Sequence, residues 1–272
     1  MKLSPALLMI FFLLYASNLS GQSFELFDID RDNLPIVSGK FYAIDENGKQ
    51  LHNISKQDID IKENGVGRDI TFVSCPSKKH PEALSAVLTI DVSGSMRGNN
   101  LKYAQEAAKA WINALPLGKS ECALTSFDGS NYFNRDFTTS RDKLLSAVEG
   151  LHAMGSTSFN AGFLDERAGA LLAAEEGKYK KVIIFLTDGS SSGDEQEIIQ
   201  KANEIGATVF CVTLGYKCPL ILKNISEKTG GMWFENINSG EEAKSTYLQI
   251  LNIAQGSGPC EIEWESEINC LK

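Results

Sequence analysis

The sequence predicts an α/β fold: a doubly wound, mostly parallel sheet with helices on both faces, preceded by a small antiparallel β module. Three observations carry this reading. From residue 84 onward, apolar strand-like runs alternate with stretches of helical period. That alternation over short connections builds an open, largely parallel sheet covered on both faces. Residues 22–80 show two-residue alternation and no helical period instead. Finally, 272 residues with 43% hydrophobic and 22% charged side chains suit one sizeable globular domain plus something small.

The elements follow in order. In the module, residues 24–29, 37–44, 58–62 and 69–73 alternate, with turn signals at 45–48 and 63–65. Fewer than about 60 residues make a meagre core, so the module is expected to lean on its neighbour. Residues 83–90 form a mostly apolar strand ending at Asp91. Leu101, Ala104, Ala108, Trp111 and Leu115 recur at helical spacing until Pro116 and Gly118 stop the helix. Strands at 121–127 and 131–137 flank Asp128-Gly129-Ser130, which implies one antiparallel edge strand. Helices are expected at 141–149 behind Ser140 as N-cap, and at 160–176. The run 181–187 is the most strongly buried strand. A helix at 195–205, a strand at 207–214, a helix at 219–229, a short strand at 232–235 and a helix at 240–254 complete the domain. The organisation is thus 1–21, 22–80, 84–255 and a tail at 256–272.

Segment 1–21 reads as a secretory signal peptide. Lys2 precedes an unbroken apolar run of 11 residues, 6–16, and small residues follow at Ser17, Ser20 and Gly21. A membrane anchor needs about 20 apolar residues. Cleavage is expected near Gly21-Gln22, leaving no transmembrane segment and a secreted or cell-envelope protein. Lys and Arg number 26 against 35 Asp and Glu, a net charge of −9. With no basic run longer than two residues, nucleic acid is a poor partner and a bound cation a welcome one.

Ligands of open α/β sheets bind outside the carboxyl ends of the strands. The first long strand ends in Asp91-Val92-Ser93-Gly94-Ser95, the strand at 181–187 in Asp188-Gly189, and Gly155-Ser156-Thr157 lies in a loop between them. Two carboxylates and three hydroxyls are hard oxygen donors. They suit Mg2+, with Mn2+ and Ca2+ as alternatives. This set, Asp91-x-Ser93-x-Ser95 followed by Thr157 and then Asp188 before a glycine, resembles the metal-ion-dependent adhesion site of von Willebrand factor A domains. The resemblance spans about residues 84–255. It implies a divalent cation held by Asp91, Ser93, Ser95, Thr157 and Asp188, with one position open for a carboxylate from a protein partner.

Other motifs fail on context. Gly189-Ser190-Ser191-Ser192-Gly193 fits the G-x-S-x-G of a hydrolase elbow, but His52, His80 and His152 all precede Ser191, whereas that triad needs its His last. Gly118-Lys119-Ser120 lacks the first glycine of a P-loop and precedes a strand. Asp28-x-Asp30-x-Asp32 lacks the Gly and Glu of a calcium loop and reads as a solvated acidic turn. His152 reads as a surface residue.

Six cysteines fit an oxidising compartment. Cys122 and Cys211 lie in apolar strands and read as buried thiols. Cys75 closes the module and Cys260 follows the last helix. The ends of a domain tend to meet, so a Cys75–Cys260 bridge is expected, with Cys218 and Cys270 left open. In the tail, Ile262 and Trp264 share a face of an alternating segment. A lone strand satisfies neither its backbone nor a Trp, so 260–268 is expected to dock on the module, away from Asp91. The functional expectation is a non-enzymatic, exported binding module that clamps an acidic residue of a protein partner through its cation. The alternative is a structural or assembly component of the envelope whose cation serves folding alone, and a hydrolase built on Ser191 is a remoter third.

Overall fold

The computed structural model describes residues 23–45, 49–77 and 80–267. The signal-like segment, the turn at 46–48 and Cys270 lie outside them. The N-terminal part comprises β1 (Ser23–Asp30), β2 (Ile36–Ile44), a 3-10 turn (Lys56–Asp58), β3 (Ile61–Glu63), β4 (Val66–Arg68) and β5 (Ile70–Ser74). The larger part runs β6 (Leu84–Asp91), α1 (Asn99–Ala114), β7 (Glu121–Phe127), β8 (Asn131–Thr138), α2 (Arg141–Glu149), α3 (Phe159–Leu164), α4 (Ala170–Glu175), β9 (Lys180–Thr187), α5 (Glu195–Glu204), β10 (Ala207–Leu214), α6 (Leu220–Lys228), β11 (Trp233–Ile237) and α7 (Gly240–Ala254). The tail supplies β12 (Cys260–Glu265).

The main sheet has the order β11-β10-β9-β6-β7-β8. All neighbours are parallel except the β7–β8 pair, which the short turn at Asp128–Ser130 makes antiparallel. The mostly parallel, doubly wound expectation therefore holds. β6 sits in the middle with every residue buried, as its continuous apolar run requires. One core layer joins the sheet to α1, α2 and α7 through Trp111, Leu144 and Tyr247. The other joins it to α3, α4, α5 and α6 around Phe185, whose ring stacks on Phe163 at 4.1 Å and on Phe127 at 4.6 Å between centroids.

The helix expected over 160–176 is two short helices. The Asp165 carboxylate accepts the backbone N–H of Arg167 (2.8 Å) and the Asp165 carbonyl accepts that of Gly169 (2.9 Å). The side-chain bond offers the chain a local turn in place of the helical ladder, of which a single turn closes at Gly169. Gly169 fits the reversal because a Cβ there would lie 2.6 Å from the Phe163 carbonyl oxygen. The strand expected over 58–62 is likewise shortened. Asp58 accepts from the N–H and hydroxyl of Ser55 (2.9 and 2.6 Å), closing the 3-10 turn. Strand pairing begins only at Ile61, where Ile61–Glu63 forms a hairpin with β4.

The tail enters the module's sheet as an inner strand. β12 pairs antiparallel with β2 on one side and β5 on the other, giving the order β1-β2-β12-β5. Trp264 is 3% exposed and its indole N–H donates to Glu63 Oε1 at 2.9 Å. Cys75 and Cys260 form a disulfide across a sequence separation of 185. Cys122, Cys211 and Cys218 are buried free thiols. The module rests on the C-terminal end of α7, where Tyr42 Oη donates to the Ser257 carbonyl (3.3 Å) and the Gln50 N–H to Asn252 Oδ1 (3.2 Å); beside them the Glu82 N–H, in the link to β6, donates to the Gln255 carbonyl (3.2 Å). Glu82 lies two residues before β6 begins, so this contact is at the end of the sheet opposite Asp91. Among the described residues no helix is long and apolar enough to cross a membrane.

Replacing Cys75 and Cys260 together by Ser should lower the unfolding free energy by about 2–5 kcal/mol, given the long loop the bridge closes. Urea melts under non-reducing conditions measure it, and coincident curves would show that the bridge adds no stability.

Candidate metal centre

Parallel pairing of β6 with β9 runs to Ile90 opposite Leu186. The residues that follow, Asp91 and Thr187-Asp188, therefore leave the sheet side by side. Asp91 is fully buried. Its Oδ1 accepts the Ser93 N–H at 2.7 Å and its Oδ2 accepts the Thr187 hydroxyl at 2.5 Å. Asp188 is half-buried. Its Oδ1 accepts the Ser95 hydroxyl at 2.7 Å and its Oδ2 accepts the Asn100 amide at 2.6 Å. Ser93 Oγ and Ser95 Oγ lie 3.1 Å apart. An unbroken chain of contacts thus joins Asp91, Ser93, Ser95 and Asp188.

Thr157 completes the cluster from the third loop. A Cβ on Gly189 would lie 3.6 Å from Thr157 Oγ1, which puts that hydroxyl against the Asp188-Gly189 turn. The loops are tied to one another by backbone. The Gly94 N–H donates to the Gly155 carbonyl (3.0 Å) and the Met154 N–H to the Val92 carbonyl (2.6 Å). Gly155, at φ +77°, has its missing Cβ where Asp128 Oδ2 would be 2.3 Å away, so only glycine allows this approach. The Ser191 hydroxyl donates to the Thr157 carbonyl at 3.1 Å, tying the loop that carries Asp188 to the one that carries Thr157.

The structure therefore brings together Asp91, Ser93, Ser95, Thr157 and Asp188. It adds two residues that sequence reasoning missed, Thr187 and Asn100, each hydrogen-bonded to one carboxylate. The signal for Thr187 was its place one residue before Asp188 at a strand end. Asn100 carried no local signal, because only the tertiary fold brings it to Asp188. His152 is exposed, and Asp28 pairs with Lys40 at 2.7 Å at the surface of the module.

The donor set fits a hard divalent cation: five oxygen-bearing side chains with no nitrogen or sulfur ligand among them. A hydroxyl that gives its proton to a carboxylate, as Ser95 does, keeps lone pairs for an ion. Among the described residues there is no group of three or more His, Cys, Asp and Glu that could hold a metal, so hydroxyls are indispensable to any such centre here. Burial raises the Asp91 pKa above its ordinary value. The bonds from Ser93 and Thr187 oppose the shift, and the nearby Asp188 charge adds to it.

The fold is that of an α/β domain with a cluster of oxygen donors at the carboxyl end of a mostly parallel sheet, and the family comparison agrees with the fold. The chain belongs to the von Willebrand factor type A domain family, whose model matches residues 87–247. It is 27% identical over 197 residues to inter-alpha-trypsin inhibitor heavy chain H4 of Sus scrofa, an alignment covering 63% of this chain and 21% of that protein. The chain thus spans about a fifth of that relative's length. Among solved structures, a von Willebrand factor type A protein from Catenulispora acidiphila superposes with a TM-score of 0.55 at 18% identity, covering 86% of this chain and 50% of that one. Proximal thread matrix protein 1 from the mussel byssus, in a form described as having a zinc-occupied MIDAS motif, gives 0.51 at 14% identity, covering 68% and 48%. At these identities the structural likeness speaks for the fold.

A carboxyl whose folded pKa is raised binds more protons folded than unfolded. Its contribution is fully present below the unfolded value and is lost as pH rises through the raised folded value. With metal chelated, Asp91→Asn should therefore be more stable than wild type at about pH 7, and the gap should close as pH falls into the ordinary carboxylate range. Thermal melts in EDTA across that range check it. A variant less stable than wild type near neutrality would show that the apo fold needs the Asp91 charge.

Proposed function

We propose that this chain is an exported, non-enzymatic protein-binding module. In this reading Asp91, Ser93, Ser95, Thr157 and Asp188 hold a divalent cation that takes a carboxylate from a protein partner. The observation that carries it is the continuous contact between two strand-end carboxylates and the hydroxyls of Ser93 and Ser95 on the face opposite the β module. Removing the like-charge cost of two neighbouring carboxylates is work a cation does well. When bound, the cation supplies a Lewis-acidic point for an anionic oxygen. Hard oxygen donors favour Mg2+, and the zinc in the mussel protein's motif supports a small divalent ion at this position of the fold.

The surroundings suit a protein partner. Met154, in the loop between α2 and α3, and Leu220, the first residue of α6, are 55% and 71% exposed. Exposed Arg97 and Lys217, in the segments after β6 and β10, add positive charge, which favours an acidic partner. Export rests on the signal-like segment 1–21. The Ser191 hydroxyl serves its loop through backbone carbonyls at Thr157 and Ser192, which supports a non-enzymatic reading.

Titration with Mg2+ by calorimetry should show one ion per chain, and stability should rise by about 2.7 kcal/mol at a hundredfold excess over Kd. Asp91→Ala should lose both effects while folding normally in EDTA. Capture of an envelope or secreted protein should vanish with EDTA and return with Mg2+. A wild type with no cation-linked stabilisation contradicts the metal centre. Cation binding without any cation-dependent capture favours a purely structural ion.

A further inference from the structure

We propose that Asp128 is a positioning residue of this centre. Its carboxylate braces the turn at Gly155 and so holds the Thr157 hydroxyl in place for the cation. The inference rests on the metal-centre reading above and deepens it.

Residues 152–158 form neither helix nor strand, so no ladder of their own fixes Thr157. Their backbone groups are held from outside instead. The Met154 N–H bonds to Val92, the Gly155 carbonyl to Gly94, and the Thr157 carbonyl to the Ser191 hydroxyl. Those three anchors stand on the loops that carry the other oxygen donors. The fourth does not: the Ser158 N–H donates to the Asp128 carbonyl at 2.9 Å. Asp128 directly follows β7, a strand that is buried along its whole length and carries none of the candidate ligands. The adjoining Phe127 carbonyl accepts the Val92 N–H at 2.7 Å. The end of β7 is therefore a shared reference for the loop of Ser93 and Ser95 and for the loop of Thr157.

The Asp128 side chain completes this brace. It is 6% exposed. Its Oδ1 accepts the Ser130 N–H at 2.8 Å, which closes the turn between β7 and β8. The Tyr132 hydroxyl donates to the same carboxylate, 3.3 Å from Oδ1 and 3.2 Å from Oδ2. Held from two sides, the carboxylate fills the space beside Gly155 that a side chain would take: a Cβ there would collide with Asp128 Oδ2 and Cγ. One residue further on the fit is reciprocal, because a Cβ on Gly129 would lie 2.6 Å from Ser156 Oγ. Residues 155, 156 and 158 thus all border the turn at 128–129, and Thr157 is held among them. Gly155, at φ +77°, has conformational freedom that only its neighbours restrain. Removing what packs on it releases the hydroxyl two residues on. Groups that orient metal ligands without touching the metal typically change affinity 10- to 100-fold when removed.

Asp128→Ser keeps an oxygen for the Ser130 N–H, so the turn survives, but it loses the carboxylate that packs on Gly155. Asp128→Asn keeps the shape: its carbonyl oxygen accepts from Ser130 and its amide donates to the Tyr132 oxygen. In EDTA, amide hydrogen exchange over Gly155–Ser158 should speed up in Asp128→Ser and stay at the wild-type rate in Asp128→Asn. Mg2+ affinity by calorimetry should fall about tenfold or more in Asp128→Ser and stay within about threefold of wild type in Asp128→Asn. An Asp128→Ser protein that exchanges faster yet binds Mg2+ like wild type has lost structure alone, and the assignment is overturned. Unchanged exchange in Asp128→Ser overturns the brace. Equal losses of affinity in the Ser and Asn variants overturn it as well, since charge and not position would then be at work. A wild type that binds neither Mg2+ nor Mn2+ overturns the metal-centre reading itself, and the role of Asp128 toward it, whatever the exchange rates show.

Discussion

The register of β6 against β9 is the constraint on which the rest of the molecule depends. Parallel pairing that ends with Ile90 opposite Leu186 delivers Asp91 and Asp188 to adjacent strand ends. The Thr187 hydroxyl then bonds across the gap to Asp91. A slip of one residue would turn every side chain of β9 to the other face, breaking both core layers and this bond together. The site's geometry is thus enforced by apolar packing far larger than the site itself. Without an ion the arrangement is unfavourable, because a buried carboxylate beside a second one is disfavoured by desolvation and by like charge. Four hydrogen-bond donors offset that cost in part. A divalent cation would relieve what remains.

The opposite end of the molecule has a different role. The module's own strands leave a gap between β2 and β5 that β12 fills, so Ser23–Asp30 and Cys260–Glu265 are held in one sheet. Burial of Trp264 with its N–H on Glu63, and the Cys75–Cys260 bridge, fix that closure. The module meets the larger part at the end of α7, away from the end of the sheet where Asp91 and Asp188 lie. Rigidity at the base and exposure at the top come from the same topology.

Where local pattern and tertiary structure agree, the sequence was easily read. β6 and β9 are legible as continuous apolar runs because both faces are covered. Asp91, Ser93, Ser95 and Asp188 are legible because oxygen donors stand just past strand ends, and Thr157 because a further hydroxyl lies in the loop between them in a fixed order. The misread segments are those where a side chain competes locally with the backbone ladder. Asp165 breaks the alanine-rich stretch into α3 and α4, and Asp58 curls a segment whose alternation suggested a strand. Thr187 looks like any β-branched strand residue and Asn100 like any polar residue in a first helical turn. Their roles exist only across 96 and 88 residues of sequence. Alternation in the tail showed that it must pair, but not that it would enter between two strands, since non-local pairing leaves no local trace.

The most direct test of the central claim is the position of a bound ion. Crystals grown with Mn2+ and measured for its anomalous scattering should show one peak within about 2.0–2.4 Å of the Ser93 and Ser95 hydroxyl oxygens, between the loops that carry Thr157 and Asp188. A well-ordered structure with no peak there at millimolar Mn2+, or with its only peak on surface carboxylates elsewhere, would contradict the account.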